Sequence, residues 1–289
     1  MTIPKRYKGI IFITMAAFFF ALMNAFVRLS GDIPTVQKSF FRNFVALIFA
    51  FIILKKDRIP LGWQKGNLRF HIIRSACGTF GILCNFYAVD HLNISDASML
   101  NKMSPFFAII FSLLFLREKT TVWQIGFVAC AFIGALFIIK PSFTGLEFLP
   151  AVIGFLGGMG AGAAYTAVRH MGAKGEKGPF IVFFFSSFSC AVTLPYLIFA
   201  FKPMTLMQTV FLLCAGLSAA GGQFSITAAY CNAPAKEISI FDYSQIIFAA
   251  VLGFFLFGQI PDYLSFIGYG VIIASAVGMF IYNNKRGGR

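Results

Sequence analysis

Ten apolar stretches, each about as long as a bilayer is thick, follow one another along nearly the whole chain. They run over Gly9 to Leu29, Val36 to Leu54, Phe70 to Asp90, Ile94 to Glu118 and Val122 to Ile139. Further on they run over Leu149 to His170, Pro179 to Ala200, Leu206 to Tyr230, Lys236 to Gln259 and Tyr263 to Tyr282. No connection between them is long enough to hold a soluble domain. In lipid a backbone must satisfy its own polar groups, so these stretches are predicted to be helices. Only 12% of the residues are charged, against about a quarter in a soluble domain. The predicted fold is an all-α membrane protein with ten transmembrane helices. The first stretch follows Lys5, Arg6 and Lys8 as the start of a signal peptide would, but it is too long for one. It is expected to remain as an uncleaved first helix.

The 24 Lys and Arg residues and the net charge of +14 do not form a nucleic-acid footprint. They lie at the ends of the stretches rather than in one patch. If successive stretches cross in alternate directions, eighteen fall on the side of the N-terminus, five on the other side, and Lys102 within a span. Cationic loops stay in the cytoplasm, so both termini are expected there, in a bacterial inner (cell) membrane, with the protein a monomer or a homodimer. The six cysteines are scattered, mostly inside the stretches, and read as small core residues rather than disulfides or metal ligands.

Two stretches differ from the rest. In Ile94 to Glu118 the first half carries Ser98, Asn101, Lys102, Ser104 and Pro105, and the second half is Phe, Ile, Leu and Ala almost throughout. Ser98, Lys102 and Pro105 share one helix face. Lys236 to Gln259 repeats the design, with Ser239, Asp242, Tyr243 and Gln245 ahead of an apolar run. Both read as single half-polar helices. Asp96 precedes Glu237 by 141 positions, and the same offset relates Val27-Arg28 to Val168-Arg169, Gly81 to Gly222 and Phe107-Ala108 to Phe248-Ala249. The spacing predicts two repeats, residues 1–141 and 142–289, of five spans each. Five is odd, so the second repeat is inverted. Inverted repeats are the architecture of secondary transporters, whose sites lie near the midplane where the halves meet.

Ionisable groups inside a membrane mark a substrate or proton path unless they only pair with one another. From helical rise and bilayer thickness, Lys102 lies roughly 12 Å below one surface and Asp242 roughly 9 Å above the other, about 9 Å apart in depth. They are either cavity groups or an ion pair that locks the halves together. Arg42, two turns into its span, could hold a carboxylate or phosphate bidentately, or could snorkel to the interface. Arg74, nearer a helix end, reads as a snorkelling side chain. Asn24, Asn85, Tyr165 and Gln223, with Tyr243 at the position corresponding to Lys102, are polar residues in apolar helices. They line a cavity or bind helix to helix. Arg28 and Arg169 read as interface anchors or gate residues. Gly154, Gly158 and Gly162, at steps of four, offer a face for close packing or for sliding.

The pattern resembles the drug/metabolite transporter superfamily, in its ten-span EamA-type branch. The residues carrying the likeness are Arg42, Phe86-Tyr87-Ala88, Ser95-Asp96-Ala97, Pro105, Leu116-Arg117-Glu118, Gly126 and Gly134. The second half departs from the family at Ile246 and Gln259, where a proline and a glutamate are frequent. The resemblance implies a secondary transporter, often an exporter of small metabolites, with a central cavity lined by both halves. No catalytic residues, cofactor or metal are expected, since His71, His91 and His170 stand apart and no phosphate loop occurs. The expected partners are the lipid bilayer, a small polar or amphipathic solute and, as a candidate coupling ion, the proton. The same scaffold could flip lipids or lipid-linked sugars, and a non-transporting enzyme or sensor is a third possibility. The topology is testable. A single cysteine placed after Tyr282 should react with membrane-impermeant thiol reagents only from the cytoplasmic side, and labelling from outside would reverse the orientation.

Overall fold

A computed structural model describes residues 5–92, 94–116, 121–139, 148–258, 260 and 263–287, and among them all regular structure is helical. Arg117, Glu118, Gln259 and the 141/142 repeat boundary lie outside the described residues, as do the side chains of Ser95 and Asp96. The first six helices are α1 (Lys5–Leu29), α2 (Thr35–Lys56), α3 (Leu68–His91), α4 (Ile94–Asn101), α5 (Ser104–Leu116) and α6 (Val122–Ile139). The others are α7 (Phe148–Ala173), α8 (Gly178–Ala200), α9 (Leu206–Asn232), α10 (Ala235–Ile238), α11 (Ser244–Phe257) and α12 (Tyr263–Gly287). A 3-10 turn, Ser239–Tyr243, joins α10 to α11. Eight helices are long and apolar enough to cross a membrane, and the shorter apolar helices Ser104–Leu116 and Val122–Gly134 complete ten spans. Large apolar side chains such as Phe199 and Leu206 stand 88% and 83% exposed, as lipid-facing residues must.

The two half-polar stretches are not single helices, contrary to the sequence reading. The first breaks at Lys102–Met103, between α4 and α5. Pro105 explains it: a proline has no N–H to return to the carbonyl four residues earlier, and it disfavours helical backbone at Ser104. The chain tightens ahead of it, with Met103 N–H donating to Leu100 O at 3.1 Å, and Pro105 then opens α5. The second stretch breaks without a proline, Ile246 being a buried helical residue. There the 3-10 turn does the work, and Ser244 Oγ takes up the Phe241 carbonyl at 2.8 Å.

Helix pairing is mirrored about these breaks. α1 packs on α9, and α7 on α3; α11 packs on α1, and α5 on α7; α2 packs on α9, and α8 on α3. α6 pairs with α12 and α2 with α8. The start of α1 meets the end of α12, where Arg6 Nη1 donates to Asn284 Oδ1 at 2.7 Å, so both ends of the chain lie on one face.

The glycines of α7 lie directly on the first break. A methyl added at Gly158 would strike the Leu100 carbonyl oxygen and come within 3.0 Å of Met103 Cβ. One added at Gly162 would come within 2.9 Å of the Ser104 carbonyl, and one at Gly154 would press on Leu100. The absence of side chains lets α7 cover backbone that lipid could not solvate. Gly158→Leu should therefore lower the stability of the purified protein by about 1–3 kcal/mol or more. An unchanged melting temperature would show that this face does not need its close approach.

Candidate functional site

A small, partly open cavity of about 50 Å³ lies among α1, α2, α3, α4, α7, α8, α9 and α11. Its polar lining comes from Asn24, Arg42, Arg74, Asn85, Asn101, Tyr165, Gln223 and Gln245, and Phe20, Met23 and Phe185 form apolar walls. Five of the eight residues singled out in the sequence thus meet here: Arg42, Asn24, Asn85, Tyr165 and Gln223. Lys102, Asp242 and Tyr243 lie outside the lining.

Arg42 is buried. Its Nε donates to Met23 Sδ at 3.3 Å and its Nη1 to Asn43 Oδ1 at 2.6 Å. Asn43 is itself fixed by donating Nδ2 to Ser189 Oγ at 2.7 Å, so α8 holds the group that orients Arg42. Arg74 does not snorkel, which corrects the sequence reading. It is 2% exposed, donates to Gln223 Oε1 at 2.8 Å and lies 3.9 Å above the ring of Phe185. Gly78, one turn on, makes this possible, because a methyl there would collide with Arg74 Nη1. That arginine–glycine spacing was the available signal; depth alone, without the helix face, suggested the interface. The amides form a chain, Asn85 Nδ2 donating to Asn24 Oδ1 at 3.3 Å and Asn24 Nδ2 to Ser98 Oγ at 3.4 Å. Tyr165 stacks on Tyr230 with ring centroids 5.0 Å apart.

Both ends of the bundle are tied across the two halves of the chain. On the face of the termini, Glu176 accepts from Asn67 Nδ2 at 2.8 Å and from the Gln64 backbone at 3.3 Å, and His71 Nε2 lies 3.6 Å away. On the opposite face, Lys202 pairs with Asp32, and its backbone N–H donates to Gln37 Oε1 at 3.0 Å. Lys38, buried, meets Asp90 Oδ1 at 2.6 Å, and Arg28 donates to the Leu92 carbonyl at 3.1 Å. Hydrogen bonding and charge from Lys202 hold the exposed Asp32 carboxyl below its ordinary value. The attraction therefore operates at neutral pH and fades as the medium acidifies through the lowered value.

This geometry can be set beside known proteins. The sequence model of the EamA-like transporter family matches residues 7–140. The pseudopaline exporter CntI of Pseudomonas aeruginosa is 30% identical over 96% of this chain and 98% of its own. The chain belongs to the EamA-like transporter family. A riboflavin transporter of Brucella anthropi is 26% identical over 89% of this chain and 93% of its own. A solved crystal structure covers 96% of this chain and 98% of that one at a TM-score of 0.77; at 11% identity, the likeness is one of fold. The protein is a membrane transporter of this family.

Within this EamA-like transporter, Lys102 and Asp242 meet at the two helix breaks. Lys102 Nζ lies 2.8 Å from Asp242 Oδ1, and the two side chains are 1% and 0% exposed. The approach is an ion pair by distance, off the direction of a good hydrogen bond, since neither carboxylate oxygen accepts one among the described residues. A buried charge left alone by removal of its partner destabilises by about 3–5 kcal/mol. Lys102→Met should lower stability by that order, and Lys102→Met with Asp242→Asn should restore most of it. Thermal unfolding of the purified variants checks this, and a Lys102→Met protein as stable as the wild type would sever the breaks from the pair.

Proposed function

We propose that this chain is a secondary transporter that exports a small polar or amphipathic metabolite by alternating access across a bacterial inner membrane, with both termini cytoplasmic. The observation that carries the proposal is the polar cavity, lined from helices of both halves and lying between two tied ends. A solute leaves such a site only if one end parts while the other holds. In this reading residues 1–141 and 142–289 are the two inverted repeats; the mirrored helix pairing supports that division. The Lys102–Asp242 pair is the joint about which the repeats rock, and the ties at Asp32–Lys202 and at Glu176 are the gates. The relatives handle small molecules by name, a pseudopaline exporter among them, which favours export. The solute's own gradient or protons would drive it.

The gate at Asp32 and Lys202 supplies the test. The six native cysteines are replaced, cysteines are placed at positions 32 and 202, and a short cleavable crosslinker joins them. In liposomes the joined protein should carry no solute, and cleavage of the link should restore flux. Equal flux with the link in place would overturn alternating access through this gate.

A further inference from the structure

Arg42 and Arg74 share one cavity, and neither forms an ion pair with an acid among the described residues. Among the described residues every acidic side chain in an ion pair is engaged elsewhere, at Arg6, Lys38, His71, Lys102 or Lys202. The polar groups that share the cavity with them are Asn24, Asn85, Asn101, Tyr165, Gln223 and Gln245, and none is a carboxylate. Two guanidiniums, 1% and 2% exposed, thus face each other's field with only amide oxygens, a thioether and an aromatic ring as partners. Buried charges are otherwise paired. One charged donor is also unused: Arg74 Nε, shut away from solvent, makes no hydrogen bond among the described residues. In the same lining two acceptors, Asn85 Oδ1 and Gln245 Oε1, are buried with none either. An orphaned donor that carries charge, in one cavity with orphaned acceptors, is the negative image of a ligand.

We propose that the transported solute is an anion with hydroxyl or amino groups, its carboxylate or phosphate held between Arg42 and Arg74 and its donors on Asn85 and Gln245. The inference rests on the transporter reading and names the substrate class of that site. Guanidinium matches either oxyanion through paired N–H donors. The lining has no acid to receive a cation. Tyr165, in the same lining as both arginines, gives the solute a flat surface.

This account reverses the usual sign of a mutation at a buried charge. Lys102 is neutralised, so removing it exposes its partner; Arg42 and Arg74 are not, so removing either relieves repulsion. Arg42→Gln and Arg74→Gln should melt at or above the wild-type temperature when ligand-free. L-malate, glycerol 3-phosphate or both should raise the melting temperature of the wild type by mass action. The neutral controls malamide and glycerol, and the cation putrescine, should not. A malate response alone assigns a carboxylate and a glycerol 3-phosphate response alone a phosphate. Each arginine variant should weaken the response roughly tenfold to a hundredfold in concentration. Variants that melt well below wild type would make the arginines structural and overturn the proposal. Stabilisation by the neutral or cationic probes alone, or by none, would overturn it too. Liposomes separate this from the transporter reading. Flux of a neutral or cationic solute with no anion response keeps the transporter and removes the anion site. A full anion response with no flux of that anion does the reverse.

Discussion

The broken backbone in the middle of the membrane is the constraint from which the rest follows. Each interruption frees peptide groups that hydrocarbon cannot satisfy, so broken helices survive only where protein covers them. α5 therefore needs α7 against it, and α7 can come close enough only with glycine at 154, 158 and 162. α11 needs α1 in the same way, and that packing is present. Placing both breaks at the centre sets Lys102 against Asp242. The pair adds little net stability, because desolvation offsets most of the attraction. Its role is to make the two breaks mutually dependent, since either charge alone would be costly.

The molecule treats its buried charges in two ways. Lys102, Lys38 and Asp242 are neutralised at contact distance, and the region around them is fixed. Arg42 and Arg74 are restrained by neutral partners, Asn43 and Gln223, that orient a guanidinium without cancelling its charge. The orienting groups are themselves held from other helices, Asn43 by Ser189 of α8. In the proposed anion site these neutral partners hold both guanidiniums ready for a ligand, which lowers the ordering cost of binding.

Much of this was legible in the sequence and some was not. The ten spans followed from hydropathy and length alone. The polar first halves of two spans marked the centre, and helical rise put Lys102 and Asp242 about 9 Å apart in depth, within reach of a pair once the helices tilt. Pro105 could have signalled the first break, since its missing N–H acts locally. The second break, at Ser239–Tyr243, has no such residue; tertiary packing sets it, and Ile246 standing where the family often has proline pointed away from it. Arg74 was misread for a different reason. Depth was weighed there without the helix face. On α3 the polar residues His71, Arg74, Ser75, Thr79 and Asn85 recur at helical spacing and are all buried, so the stripe that turns to water on a soluble helix here turns inward.

The ties differ in strength in a way that suits movement. Asp32 is 98% exposed and its partner Lys202 46%, so water and salt compete for both groups at every moment. Such a contact opens easily and closes again. On the other face, Glu176 is buried and accepts from two donors, so water competes for it less. The Lys102–Asp242 pair between them is sealed from solvent altogether and is the contact least able to break during a cycle. In the proposed cycle a bundle with one soft tie, one firmer tie and a sealed centre rocks about that centre, and the cavity opens to whichever face has released.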